Sequence, residues 1–249
     1  MSCIFCGSVG PFSEEHIVPE SLGNRSYTLP KNSLCSECNN KFSKFEGKAL
    51  SESIYLMERA RMAIPTKRNK PASGVVDGVN IRGDEHLTMG LVTIGNLKEE
   101  QIENIDPVTG QMDILIKGFD HTYNAMAKLL LKMGYESLYT SQRKLFLKND
   151  FSGLLDFIFR RDSREWPFIS CQFAHQGFTS LPRQMDKVNL KRFRCQLLYK
   201  EYNDESLLFK FSYGAVDAII NLISRNSSWI PEYMSLDKFP QLYPKNFRY

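Results

Sequence analysis

The sequence predicts an α+β chain in two unequal parts, on three observations. Four of the six cysteines, Cys3, Cys6, Cys35 and Cys38, crowd into the first 38 residues, where turn formers (Gly7, Gly10-Pro11, Pro19, Gly23-Asn24, Pro30) leave room only for short segments. Runs rich in β-branched residues at 75–81, 87–94 and 112–116 follow a proline-bounded stretch at 64–71. An apolar stripe at helical spacing (Tyr123, Met126, Leu129, Leu130, Met133) then leads into further strand-like runs.

Each element has a local reason. Phe42, Phe45 and Ala49 recur at helical spacing, so a helix is expected over 39–46, with a break at Gly47 and a second helix over 48–63 carrying Ile54, Met57 and Arg61. Pro65 and Pro71 lack a backbone donor and close the intervening stretch to helix, which puts a domain boundary after residue 63. Residues 1–63 are then one module and 64–249 a companion domain with its own core. Within the companion, a helix is expected over 123–134, ended by Gly134, and another over 151–159. Strands are expected over 168–173, 193–201 and 206–213, the last two joined by a hairpin turn at Tyr202-Asn203-Asp204-Glu205.

Composition narrows the classes. A chain of 249 residues with 42% hydrophobic and 24% charged residues has the makings of a core, which excludes a disordered or fibrous chain. No window reaches the roughly 18 apolar residues a membrane helix needs. Even Leu129-Leu130-Leu131 is flanked by Lys128 and Lys132. The start, Met1-Ser2-Cys3-Ile4-Phe5-Cys6, has neither the basic residues nor the apolar core of a secretory signal, so the cytoplasm is the expected compartment. A net charge of +4 is too small to argue for a polyanion partner. Its distribution says more: Arg59, Arg61, Lys67, Arg68 and Lys70 lie together with no acid between them. They read equally as a solvated helix end and as a phosphate-contacting patch.

In a reducing compartment, clustered cysteines are ligands more often than disulfides. Cys3-x-x-Cys6 and Cys35-x-x-Cys38 are two knuckles, each setting two sulfurs on one side of a tight loop. Together they supply the tetrahedral thiolate set that zinc favours. Zinc there would fold a segment too small to hold itself together and, with four protein ligands, would be structural. Cys171 and Cys195 stand apart.

Between the knuckles lies Glu15-His16-Ile17-Val18-Pro19, followed by Leu22-Gly23-Asn24 and Asn32-x-Leu34-Cys35-x-x-Cys38-Asn39, then Lys41. This ordered set, over about the first 50 residues, resembles the HNH endonucleases, and looser matches at 63–67 and 129–134 resemble stand-alone bacterial HNH proteins. The resemblance implies a zinc-braced ββα-metal module followed by a mixed α+β domain, and Mg²⁺ or another divalent cation as cofactor for hydrolysis of DNA phosphodiester bonds. It implies His16 as general base, Glu15 and Asn39 as ligands of the catalytic cation, and Asn32 as the residue that steadies the loop and orients the histidine. Two positions depart from the commonest pattern: Glu15 stands where Asp is frequent and Asn39 where His is frequent, and both keep an oxygen ligand. Asn40 is adjacent, and only the spacing from Cys38 favours Asn39.

Physical chemistry supports the resemblance. Phosphodiester hydrolysis needs an in-line nucleophile, neutralisation of the phosphate and help for the departing oxygen. An imidazole titrates near neutral pH and can accept a proton from water. One carboxylate and one amide leave most of a Mg²⁺ sphere open to phosphate and water. DNA is the expected partner, with RNA left open, no membrane, and either a homodimer or a defence-system protein as a further partner. Defence against foreign DNA is what the resemblance implies. The rival expectations are a non-catalytic zinc-ribbon module that binds nucleic acid, and an interaction protein that uses the fold as a scaffold. His86, His121 and His175 lack ligand spacing and read as surface or core residues. Arg160-Arg161 and Lys191-Arg192-x-Arg194, with Phe157, Phe159 and Phe193 nearby, read either as a nucleic-acid grip or as exposed faces.

Overall fold

A computed structural model describes residues 2–114, 118, 119, 121–172, 185–190, 193–235 and 240–248; for 172, 185–190, 193 and 194 it describes the backbone alone. His175, Lys191, Arg192 and the ends of the runs expected at 112–116 and 168–173 lie outside the described residues. In chain order the elements are β1 (Phe12–Ser13), β2 (Leu34–Cys35), α1 (Ser36–Leu50), α2 (Ser53–Arg61), β3 (Ser73–Val76), β4 (Val79–Gly83), β5 (Val92–Gly95), β6 (Ile102–Ile105) and β7 (Met112–Ile114). Then follow α3 (Tyr123–Ser141), α4 (Arg143–Lys148), α5 (Ser152–Ile158), β8 (Phe168–Gln172), β9 (Met185–Leu190), β10 (Phe193–Asn203), β11 (Ser206–Tyr213), β12 (Val216–Asn221), α6 (Ile230–Met234) and β13 (Pro240–Tyr243). The class is α+β, as the sequence predicts.

The helix expected to break at Gly47 does not. α1 runs unbroken from Ser36 to Leu50. Glycine in a helix costs about 1 kcal/mol relative to alanine. Burial of Phe42, Phe45 and Ala49 on one stripe outweighs that. The helix also starts three residues earlier than the stripe suggests, because Cys35 caps it: its Sγ accepts from the Cys38 backbone N–H at 3.5 Å.

α3 organises the molecule. Residues 125–138 are all buried, so the helix is covered on every side, which marks a central helix. One side packs on α1, and another on β11 and β12 of a six-stranded antiparallel sheet ordered β13-β8-β12-β11-β10-β9. Gly134, expected to end this helix, sits mid-way along it. A Cβ there would come within 2.6 Å of Leu222 and 3.0 Å of Phe209, so the glycine serves close helix–sheet approach. The sheet alternates as a strand must. Phe209 and Phe211 face the core shared with α3, while Leu208 and Ile219 face a second cluster built on Trp229, Ile230 and Tyr233 of the α6 region. The hairpin expected at 202–205 is present, with Asn203 and Ser206 paired across it.

The small sheet β3-β4-β5 packs on α2 through Leu56, Ala60, Ala72 and Ile81. The main buried cluster runs without interruption from Cys3 and Phe5, through Phe42 and Leu129, to Phe209 and Tyr243, so residues on both sides of position 63 share one core. Among the described residues no helix is long and apolar enough to cross a membrane.

Candidate active site and metal centre

The two knuckles meet because β1 pairs antiparallel with β2, Phe12 opposite Cys35, and because the Ile4 N–H donates to the Ser33 carbonyl at 2.9 Å. All four sulfurs of Cys3, Cys6, Cys35 and Cys38 then lie within 4.8 Å of one another, with Cys6 and Cys35 Sγ 3.6 Å apart. Sulfurs on a tetrahedron around zinc, each about 2.3 Å from the ion, would be roughly 3.8 Å apart. The cluster has that size and fits the ion. Burial pushes the Cys38 thiol far above its ordinary range, as it does that of the distant Cys195. For Cys3 burial also acts upward, but backbone N–H groups of Cys35, Cys6 and Phe5 outweigh it and the thiol lies below its usual value. Packing four thiolates together is unfavourable unless a cation joins them.

The segment after β1 doubles back. The Leu29 N–H donates to the Glu15 carbonyl at 2.9 Å, the Ile17 N–H to Tyr27 at 3.1 Å, and His16 bridges Thr28. Two antiparallel strand pieces followed by α1 give the ββα form. The turn between them hangs on Asn24, which is fully buried. Its Nδ2 donates to the Val18 and Tyr27 carbonyls at 2.7 and 2.8 Å, and its Oδ1 accepts from the Tyr27 and Ser26 N–H groups at 2.9 and 3.2 Å. These bonds steady the turn that follows the Glu15-His16 segment. Asn32 itself is exposed, with φ 63, in the turn before β2, and no described bond joins it to His16.

Asn39, half-buried on the first turn of α1, donates from Nδ2 to the Ser13 hydroxyl at 3.1 Å, while Asn40 is exposed. Asn39 therefore faces the segment that carries Glu15 and His16. His16 is half-buried. Lys41 is exposed and pairs with Glu37 at 2.6 Å.

Glu15 diverges from its neighbour and points into the protein. Its carboxylate is ion-paired with the Nζ of Lys132 on α3. That same ammonium lies 2.9 Å from Glu46 of α1 and 3.1 Å from Glu136. Lys132 and Glu136 are completely buried, and Glu15 is 7% exposed. Burial drives the Glu15 and Glu136 carboxyls upward, with Lys132 opposing it. Burial alone would lower the Lys132 ammonium, but Glu136, Glu46 and Glu15 outweigh it and hold it well above its ordinary value. Glu46, Lys132, Glu136 and Asn24 were not among the expected site residues. The available signal was a lysine set inside the apolar run 129–133 with a glutamate four residues on, a pair that reads from sequence as the edge of the stripe.

Two of the five basic residues at 59–70 are tied down internally: Arg61 pairs with Glu58 at 2.7 Å and Lys67 with Glu20 at 3.0 Å. His86 and His121 are exposed.

The family model described as HNH endonuclease matches residues 3–54, a span that takes in both knuckles, Glu15, His16, Asn32 and Asn39. The amino-terminal part of the chain is an HNH endonuclease domain with a four-cysteine cluster suited to structural zinc, followed by a mixed α+β region. No curated protein and no solved structure matches the chain.

Proposed function

We propose that the protein is a metal-dependent endonuclease that hydrolyses DNA phosphodiester bonds, with residues 1–63 as the nuclease module and 64–249 as its companion. The observation that carries this reading is the Asn39–Ser13 bond, which holds the start of α1 against the Glu15-His16 segment inside the span matched as HNH endonuclease. His16 takes a proton from the attacking water. Glu15 and Asn39 are the carboxylate and the amide that would hold the cation, with the ion taking the place of Lys132 as the partner of Glu15. A divalent cation held there, magnesium or another, would neutralise phosphate charge and stabilise the leaving oxygen. Asn32 serves the turn before the second knuckle, where its left-handed backbone suits asparagine. One site makes one nick, so a double-strand break calls for two copies. A cytoplasmic enzyme of this kind suits defence against foreign DNA.

The test is plasmid nicking with Mg²⁺, run on duplex DNA, single-stranded DNA and RNA, with His16→Ala in parallel. Loss of the imidazole is expected to slow nicking by about 10²–10⁴-fold. Equal nicking by both proteins removes His16 from the mechanism. One observation favours the non-catalytic zinc-ribbon reading: Lys132 already supplies Glu15 with a positive partner. A zinc-loaded wild type that binds DNA without nicking it would decide for that reading.

A further inference from the structure

A cavity of about 1030 Å³ opens on the opposite side of α1 from Asn39, between that helix, the start of α3 and the chain leaving α5. Lys41, Lys44 and Lys48 recur at i, i+3 and i+7 and share one face of α1 that borders it. Asn39 is about 200° around the helix from Lys41. Lys128, Arg160 and Arg161 complete the set of cations.

The charge here is uncompensated. Lys41 has Glu37, and Arg161 lies 3.5 Å from Asp156. Among the described residues Lys44, Lys48, Lys128 and Arg160 have no carboxylate partner. The one acid on the wall, Asp162, is taken by Arg164 and Arg225 at 2.8 and 3.0 Å. Lys128 is 8% exposed, and among the described residues its Nζ meets the Ile158 carbonyl at 3.3 Å and the Phe157 ring at 4.9 Å. Burial, with Arg160 adding to it, pushes this ammonium down to about 8.

A second, independent feature points the same way. α3 begins at this wall with no side-chain cap and no acid in its first turn. The hydroxyl of its N-cap residue, Thr122, is buried with no hydrogen-bond partner among the described residues. A helix start with its N–H groups uncapped attracts anions. Phe45, Phe157 and Phe159 give the same cavity apolar, aromatic surface. Cations for phosphate and ring faces for a base are the two halves of nucleotide recognition. The volume is that of a site for a ligand of drug size.

We propose that this cavity binds a nucleotide unit, its phosphates held by Lys44, Lys48, Lys128 and Arg160 and its base against the phenylalanines. The same chemistry is presented by a free nucleoside polyphosphate and by a single strand of nucleic acid, and the experiment separates the two. ATP, a short single-stranded DNA oligonucleotide and duplex DNA are titrated calorimetrically into the full-length protein. The titrations are repeated with a Lys44→Glu/Lys48→Glu protein, with Lys128→Met, and with His16→Ala. ATP binding weakened about tenfold or more in the first two variants supports the cavity as a free-nucleotide site. Oligonucleotide binding with the same losses, and none by ATP, supports the strand as the source. Lys44 and Lys48 are exposed, so the double variant keeps the test decisive if Lys128→Met does not fold. Binding by neither probe, binding unchanged in the double variant, or binding by duplex alone overturns the proposal. His16→Ala is expected to bind as wild type, so a failed nuclease reading leaves this result standing.

Discussion

Lys128 and Lys132 lie one turn apart on α3, are both buried, and have surroundings of opposite sign. Lys132 is enclosed by three carboxylates drawn from the HNH domain and from its own helix. Lys128 meets a carbonyl, a ring and the nearby charge of Arg160. A buried charge is tolerated when a counter-charge is supplied. For Lys132 the chain supplies it, and the result is a tie between the two parts of the molecule. For Lys128 the described residues supply none, and the result is a cavity fit for an anion. The four thiols, three of them buried and Cys6 exposed, are the mirror case: negative charge in waiting, fit for a cation.

The contrast can be broken most severely at the thiols. Stripping the ion with a chelator removes a term of about 10–16 kcal/mol in small zinc domains at pH 7, and replacing Cys35 with serine removes part of it by taking away one ligand. Because the cysteine cluster belongs to the main core, the expected outcome is loss of cooperative unfolding of the whole protein in circular dichroism and calorimetry, with zinc restoring it after chelation. A melt unaffected by chelation would remove the ion from the fold.

Next in size is Lys132→Ala, which leaves buried carboxylates without their cation. The expected loss is about 3–5 kcal/mol by denaturant unfolding. Adding Glu136→Gln should restore part of it, since one of the stranded charges is then removed. If the alanine variant is as stable as wild type, the lysine is not the tie described.

Lys128→Met is expected to change stability in the other direction. The folded-state value near 8 lies below the ordinary 10.5, so folding opposes protonation of this lysine. That cost is fully present below pH 8 and fades as pH rises toward 10.5. In ligand-free protein the methionine variant should therefore be more stable than wild type at pH 7, with the gap shrinking by pH 10. Urea titrations at both pH values check it. A variant less stable at pH 7 would mean Lys128 has a counter-charge after all.

What was legible in the sequence was what is local. Two cysteines three apart form a knuckle wherever the turn allows, and the stripe at 123–133 marks a helix without knowledge of its neighbours. The hairpin at 203–206 is equally local. Gly47 and Gly134 misled because the packing that overrides their propensity comes from other elements. The Lys132 cluster was not legible for the same reason: Glu15 and Lys132 are separated by 117 residues, and only the docking of α1 on α3 brings them together. Asn24 stood inside a recognised motif, but its four backbone partners appear only once the loop closes.

The shared core around α3 has a practical corollary for anyone who wishes to trim this protein. A fragment ending at residue 63 would carry Phe42, Phe45 and Ala49 into water as a bare greasy stripe, with two acids whose ammonium had stayed behind on the discarded piece. Such a fragment should clump rather than cut.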